Sequence, residues 1–403
     1  MKLLHTSDWH LGKKLDTFSR FDEQEAVLNE ITTIAHNEKV DAILIAGDLF
    51  DTFNPPVEAV ELFYRTLKNL SRGGTCPVIA IAGNHDSPDR IEAPDPLARE
   101  LAIILAGYPI TKIRPFKNES GVELLQSKAG FIELKLPHYD YPLRIILNPY
   151  ANQFRMKKYL DIQDEEIELR NLLQSNWQKI ADEHCDNKGV NILLSHMFFT
   201  QKGTKLQEEP DDEKSILHIG GVQALYPENI PSQIQYAAIG HLHRKQIISL
   251  EPCPVVYSGS PVSYSFSEAN QEKYVQIIDV APDKKAKISH VALKSGRKLV
   301  RKTFDDIDKA VEWLTEHQEN LIELTIESDN YLTAEERKQL KNAHPYIINI
   351  IPKVKSAANI RGEMNNIDIN KNIEELFADY FHHKKGQMPN KDLIDLFKEI
   401  QGK

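Results

Sequence analysis

Short apolar runs alternate with amphipathic stretches through the first half of the chain. KLLHTSD opens it, a polar helical pattern covers about Arg20 to Lys39, DAILIAGD follows, and a second helical stretch leads to PVIAIAGNHD. Brief strands separated by helices predict βαβ units with parallel pairing. Runs of the same kind recur as NILLSH near residue 192, YAAIGHLH near 236 and PVVYSGSP near 254. All these runs end in polar residues, and in open α/β sheets the ligand crevice lies beyond the carboxyl ends of the strands. Side chains just past each run are therefore expected to converge on one site.

From about Glu272 the texture changes. YVQIIDV, KISHVAL and KLVRKTF read as strands, DDIDKAVEWLTEH as a helix, LIELTIE as a strand, then a helix from Thr333 and the strand YIINIIPK. This predicts a smaller α+β unit over 272–353, after a main domain over 1–271. The polar stretch from Val354 to Asn366 reads as part of a linker over 354–369. Beyond it, Ile373, Leu376, Phe377, Tyr380 and Phe381 repeat at i, i+3, i+4, i+7 and i+8, and Leu393, Leu396, Phe397 and Ile400 repeat in the same way. Two amphipathic helices are expected over 370–403. Their apolar faces either pack on each other as a hairpin or wait for a partner.

Composition narrows the class. With 403 residues, 41% hydrophobic and 27% charged, the chain suits two or three globular domains of about 150 residues each. No run approaches the ~18 apolar residues of a membrane span. Asp8 and two histidines within the first ten residues leave no room for a signal peptide there, so a cytoplasmic protein is expected, nucleoid-associated when on DNA. Cys76, Cys185 and Cys253 are far apart and read as buried thiols, not as a disulfide or zinc framework. A formal net charge of -10 argues against broad attraction to polyanions, so nucleic-acid binding has to be local or shared with a partner.

The chemistry sits in five short motifs. Asp8 and His10 form DxH after the first run, and residues two apart on an extended backbone project to the same side. Asp48 follows a glycine in GDLFD, with a carboxylate able to bridge two cations. GNHD supplies Asn84 as an amide-oxygen ligand and His85 as a titratable neighbour. His196 ends NILLSH, and His241 and His243 repeat the same-side spacing in GHLH. This mixture of oxygen and imidazole ligands suits manganese, iron or zinc. Two such ions about 3.5–4 Å apart hold an attacked phosphate in line, and they leave the site net positive beside only two carboxylates. Taken singly, each motif has a plain structural explanation, such as a helix cap or a satisfied core histidine. The ordered set does not.

The order DxH, GDxxD, GNHD, SH, GHxH resembles the calcineurin-like metallophosphoesterases. SDWHLGK, GNHDSPDR, GHLHRKQ and YSGSPVSYSFSEA narrow the resemblance to the SbcD family of DNA repair nucleases. It is specific over residues 1 to about 270 and beyond that lies in domain order and carboxy-terminal pattern. It implies an α/β fold: a metallophosphoesterase β-sandwich flanked by helices, with a smaller α+β capping domain over the crevice and a C-terminal helical hairpin. The implied activity is manganese-dependent, 3′–5′ exonuclease on duplex ends and endonuclease on hairpins and single strands, in DNA repair, recombination and replication. The implied partner is an SbcC-type coiled-coil ATPase, in a heterotetramer containing a homodimer of this chain. No GxxxxGK[ST] loop occurs here, so nucleotide hydrolysis belongs to another chain.

Carried onto matching positions, the resemblance gives one metal to Asp8, His10, Asp48 and His243, and the second to Asp48, Asn84, His196 and His241. His85 is expected to stabilise the transition state and protonate the leaving 3′ oxygen. Asp86 is expected to orient His85 or to cap a helix, and Asp51 to support the ligands or simply to turn the chain. Lys13, Lys14, Arg20 and Arg90 are candidate phosphate contacts. Leu376, Phe377, Tyr380, Phe381, Leu393 and Phe397 are candidate ATPase contacts. A dimer through a helix face carrying Leu62, Phe63 and Leu67 is one option, core packing of those residues the other. A protein serine/threonine phosphatase is disfavoured, because Thr52 and Asp86 stand where that class has arginine and glutamate. A small-molecule phosphodiesterase remains the alternative enzyme, although it leaves the extra domain and helices without a role. A noncatalytic scaffold is disfavoured because every ligand position is filled.

Overall fold

The computed structural model describes residues 1–151, 169–203, 224–330, 332–354, 375–378, 381, 389, 393–394 and 397. The chain forms two compact units, Met1–Leu299 and Val300–Lys403.

In the first unit β1 (Lys2–Thr6) leads through a small hairpin, β2 (Lys14–Leu15) and β3 (Phe18–Ser19), to α1 (Phe21–Asn37). Then come β4 (Ala42–Ala46), α2 (Val57–Ser71), β5 (Val78–Ile81) and β6 (Ile103–Ala106). After β7 (Glu123–Lys128), β8 (Phe131–Lys135) and β9 (Leu143–Asn148) follow α3 (Leu169–His184), β10 (Val190–His196), β11 (Tyr236–Gly240), β12 (Gln246–Ser249) and β13 (Val255–Tyr257). The unit closes with β14 (Lys273–Asp279) and β15 (Lys287–Leu293).

Two sheets result. One runs β15-β14-β1-β4-β5-β6, the other β12-β13-β11-β10-β9-β8-β7. The parallel set β1, β4, β5 and β6 and the parallel set β9, β10, β11 and β13 carry the expected motifs at their carboxyl ends. The period of two along each strand explains the stacking. In β4, Ala42, Leu44 and Ala46 join the core between the sheets, while Ile43 and Ile45 join the core under α1 and α2. In β10, Ile192 and Leu194 face the other sheet, and Leu193 packs with Trp177 and Leu173 of α3. The result is a sandwich with helices on both outer faces, as the resemblance implies.

Two expectations change. The strands expected to open the smaller unit, β14 and β15, belong to the first one: β14 pairs antiparallel with β1, Leu4 opposite Ile277, and β15 pairs with β14. The boundary expected at 271/272 thus falls at 299/300. Leu62, Phe63 and Leu67, offered as a dimer face, are buried in the core beneath α2.

In the second unit, β16 (Leu299–Phe304), β17 (Leu321–Ser328) and β18 (Ile347–Val354) form one sheet, with α4 (Ile307–Glu316) and α5 (Ala334–Ala343) between the strands in sequence. Thr333 caps α5 through a reciprocal pair with Glu336, and Asp306 caps α4 through Lys309 N at 2.9 Å. Ala310, Leu314, Ile322, Leu324, Ile326 and Leu340 make its core. Nearly all of the expected linker, and Tyr380, lie outside the described residues. Among described positions Phe377 and Phe397 stack at 4.0 Å and 8°, so part of the predicted apolar stripe is covered by the other helix, as in a hairpin.

Candidate metal centre

The expected ligands meet where the carboxyl ends of both parallel sets adjoin. Asp8 N donates to Gly47 O at 2.9 Å and His10 N to Asp48 O at 2.9 Å, so the loops after β1 and β4 run side by side. A Cβ on Gly240 would lie 1.8 Å from Ala46 O, and one on Gly47 would lie 2.3 Å from His196 Nδ1. Only glycine lets the two sheets close this tightly around the site. Asp8, His10, Asp48 and His241 all sit at positive φ, 54°, 43°, 49° and 118°. Such backbone costs of order 1–3 kcal/mol per residue and persists where the surroundings over-determine it.

The donor set is rich in acceptors and short of protons. Asn84 Oδ1 lies 3.0 Å from His196 Nε2 and 3.0 Å from His241 Nδ1. His196 Nδ1 lies 2.8 Å from the Ala46 carbonyl, a contact only an N–H can make, which in a neutral ring leaves Nε2 as a lone pair. That lone pair faces Asn84 Oδ1 and, at 3.4 Å, Asp48 Oδ2. Asp48 Oδ2 is also 3.5 Å from His10 Nε2, which in turn is 3.0 Å from His243 Nε2. The ligand atoms of Asp8, His10 and His243 lie within 4.8 Å of one another, as do those of Asp8, Asp48 and His196. His241 Nε2 is buried without a hydrogen-bond partner. Buried lone pairs converging in this way fit a pair of divalent cations.

Electrostatics agree. Burial holds His10 and His241 down to about 3, keeping both rings neutral and ready to ligate. Burial, outweighing His196 and His243, pushes Asp8 up to about 6. Burial also opposes charge on His196, yet the adjoining Asp48 carboxylate lifts this imidazole to about 9, while His196 helps draw Asp48 well below the carboxylate range. Positive charge is thus favoured at the bridging carboxylate.

The remaining expectations divide. His85 is half-buried, its Nδ1 2.8 Å from Asp51 O, and its ring 4.7 Å from that of His10. Asp86 does not orient it: this buried carboxylate accepts from Gly83 N (2.7 Å), Leu49 N (3.0 Å) and Phe50 N (2.9 Å), tying the GNHD loop to the GDLFD loop. Nor is it the helix cap, since Ser87 precedes the helix Pro88–Glu92. Asp51 takes the orienting position through its carbonyl, and its carboxylate stands 3.6 Å from His10 Nδ1 and 3.1 Å from Lys13 Nζ.

Arg20 is not a surface cation. It is 1% exposed, paired with Glu23 and donating to Ser263 O. Lys13 is half-buried, Lys14 exposed, and Arg90 exposed with a bond to Asn54 Oδ1 at 3.1 Å. Four residues outside the predicted set touch the ligands: Ser7 donates to Asp8 Oδ2 and lies 2.7 Å from Ser258 Oγ, and Glu268 and Lys273 flank His243. The string YSGSPVSYSFSEA holds Ser258 and Glu268, so it signalled the neighbourhood without giving a role.

Comparison with known proteins places these residues in context. The family model for Calcineurin-like phosphoesterase matches residues 1–245. The SbcD subunit of nuclease SbcCD from Bacillus subtilis (strain 168) is 36% identical, over 99% of this chain and 97% of its own. The protein of the same name from Rhodobacter capsulatus is 32% identical over 70% of this chain and 67% of its own. That from Staphylococcus epidermidis is 28% identical over 76% of this chain and 74% of its own.

Proposed function

The chain belongs to the calcineurin-like phosphoesterases and, within them, to the SbcD nucleases, and on that premise we propose a manganese-dependent nuclease acting on duplex ends, hairpins and single-stranded DNA. The observation that carries the reading is the lone-pair cluster around Asn84 Oδ1 and the facing Nε2 atoms of His10 and His243. In this proposal Asp8, His10, Asp48 and His243 hold one cation, and Asp48, Asn84, His196 and His241 the other. Two divalent cations there supply Lewis-acid polarisation of the phosphodiester and a lowered pKa for the attacking water.

The chain's own groups do the rest. Asp51 O fixes the His85 tautomer by accepting from Nδ1, which leaves Nε2 to meet the substrate. As an imidazolium, His85 donates from Nε2 to the leaving 3′ oxygen. Asp86 holds the two loops that carry Asp48, Asn84 and His85 at fixed separation. Exposed Lys14 and Arg90 are the assigned phosphate contacts, with half-buried Lys13 beside them.

We assign the helix pair after residue 370, with Leu376, Phe377, Tyr380, Phe381, Leu393 and Phe397, to an SbcC-type ATPase, in an assembly with two copies of each chain. The second unit restricts which DNA shapes are cut. The relatives' printed name, SbcCD, supports the ATPase partner. No helix among the described residues is long and apolar enough to cross a membrane. The DNA substrate assigns the activity to the cytoplasm, on the nucleoid.

Incubation with Mn2+ and, separately, linear duplex DNA, a chromogenic phosphodiester and a phosphopeptide tests the assignment. Shortening of the duplex from 3′ ends is expected. Turnover of the chromogenic ester with intact DNA would favour a small-molecule phosphodiesterase. Truncation after Val354 is expected to keep Mn2+-dependent hydrolysis and lose ATPase binding in pull-down.

A further inference from the structure

Glu268 and Lys273 meet beside the ligands. Lys273 opens β14, the strand next to β1 in one sheet, whereas His243 follows β11 in the other. Lys273 Nζ donates to His243 O at 3.1 Å, to Ser260 Oγ at 3.0 Å and to Glu268 Oε2. Glu268 is buried and also accepts from Tyr264 N (2.9 Å), Ser265 N (3.2 Å) and Ser260 Oγ (3.3 Å). Its Oε1 stands 3.6 Å from His243 Nδ1, the nitrogen opposite the one turned to His10. Ser260 N adds a bond to the same His243 carbonyl at 3.1 Å.

A buried ion pair is a weak source of stability, because desolvation offsets most of the attraction. This one has a geometric use. His10 hangs from the sheet containing β1 and His243 from the sheet containing β11, so their 3.0 Å approach requires the two loops to stay in register. Lys273 spans that gap from the β1 side to the His243 backbone, and Glu268 holds the ammonium in place while facing the imidazole. The described contacts of the pair include none to Asn84, His196 or His241.

We propose that Glu268 and Lys273 are a positioning pair for His243, setting the cation site it shares with Asp8 and His10 but not the one built around Asn84. This rests on the two-cation reading above. Supporting carboxylates behind metal-ligating histidines are worth about 10–100-fold in metal affinity in other proteins.

The test uses full-length wild type, Glu268→Gln, and the double variant Glu268→Gln/Lys273→Met, which leaves no lone buried charge should the single one fold poorly. Each is titrated with Mn2+, with free ion read by electron paramagnetic resonance and folding by thermal melting. Wild type is expected to bind two ions. The folded variants are expected to bind one with unchanged affinity and the other at least about tenfold more weakly, with lower kcat on duplex DNA and unchanged KM. Two ions at wild-type affinity in a folded variant would overturn the positioning role, as would equal weakening of both. Fewer than two ions in wild type would instead overturn the two-cation reading, and the inference with it.

Discussion

His10 and His243 face each other Nε2 to Nε2 at 3.0 Å across 233 residues of sequence, one from each sheet of the sandwich. Two neutral imidazoles have no reason to meet in this way except through a shared proton or a shared cation. Cations that bind only the folded chain should therefore stabilise it. We expect Mn2+ to raise the melting temperature by several degrees and a chelator to reverse the rise. At a hundred times Kd one bound ion is worth about 2.7 kcal/mol. A melting curve indifferent to Mn2+ and chelator would remove the cation from this contact.

His85 touches Asp51 O and lies beside His10 without belonging to the two proposed ligand sets. Replacing it with glutamine should leave both Mn2+ ions bound and lower kcat on duplex DNA by about 10²–10⁴-fold, the range for loss of a general acid. Single-turnover cleavage together with a Mn2+ titration checks this. Undiminished cleavage would leave the ring no part in proton transfer.

Arg20 gives a prediction opposite to the one its sequence position suggests. As a buried guanidinium paired with Glu23, it should behave as a structural group. Arg20→Ala should cost about 3–5 kcal/mol of unfolding free energy, because Glu23 is left without its partner. The salt dependence of DNA binding by the folded protein should not change, whereas Arg90→Ala should reduce the slope of log affinity against log salt by about one. Urea unfolding and salt-titrated binding separate the two residues.

His5 lies between the sheets, its Nδ1 3.0 Å from Tyr236 Oη, and burial pushes it down to about 3. When the chain unfolds, this imidazole returns to an ordinary value near 6.5. Between those values the unfolded state takes up a proton that the folded state refuses, so stability falls as pH drops from 6.5 toward 3. One such group accounts for at most about 1.4 kcal/mol per pH unit. Urea midpoints for wild type and His5→Gln at pH 7.5, 6 and 5 should show the shallower acid loss in the variant. Parallel pH dependences would mean that His5 does not contribute.

Most of the centre was legible in the sequence because its side chains follow apolar runs whose alternation fixes where a strand ends. Asp8, Asp48, Asn84, His196 and His241 stand within three residues of such ends. What escaped was set across distance. Nothing local shows that YVQIIDV pairs with KLLHT at the start of the chain, so the domain boundary was expected too early. The burial of Arg20 depends on Ser263, more than two hundred residues away. The positive φ angles at Asp8, His10 and Asp48 belong to residues that rarely adopt them, so no glycine marked those turns. The role of Asp86 is a matter of direction: a carboxylate beside His85 in sequence turns instead to the amides of Leu49 and Phe50.

The place of β1 between β14 and β4 has a consequence for a newly made chain. While the ribosome has released only the first two hundred residues, the edge of β1 that β14 will occupy is bare and His241 and His243 do not yet exist. The catalytic centre is assembled only after Lys273 has emerged and its strand has docked. A half-made nuclease is therefore harmless to the chromosome beside which it is translated, without any inhibitor.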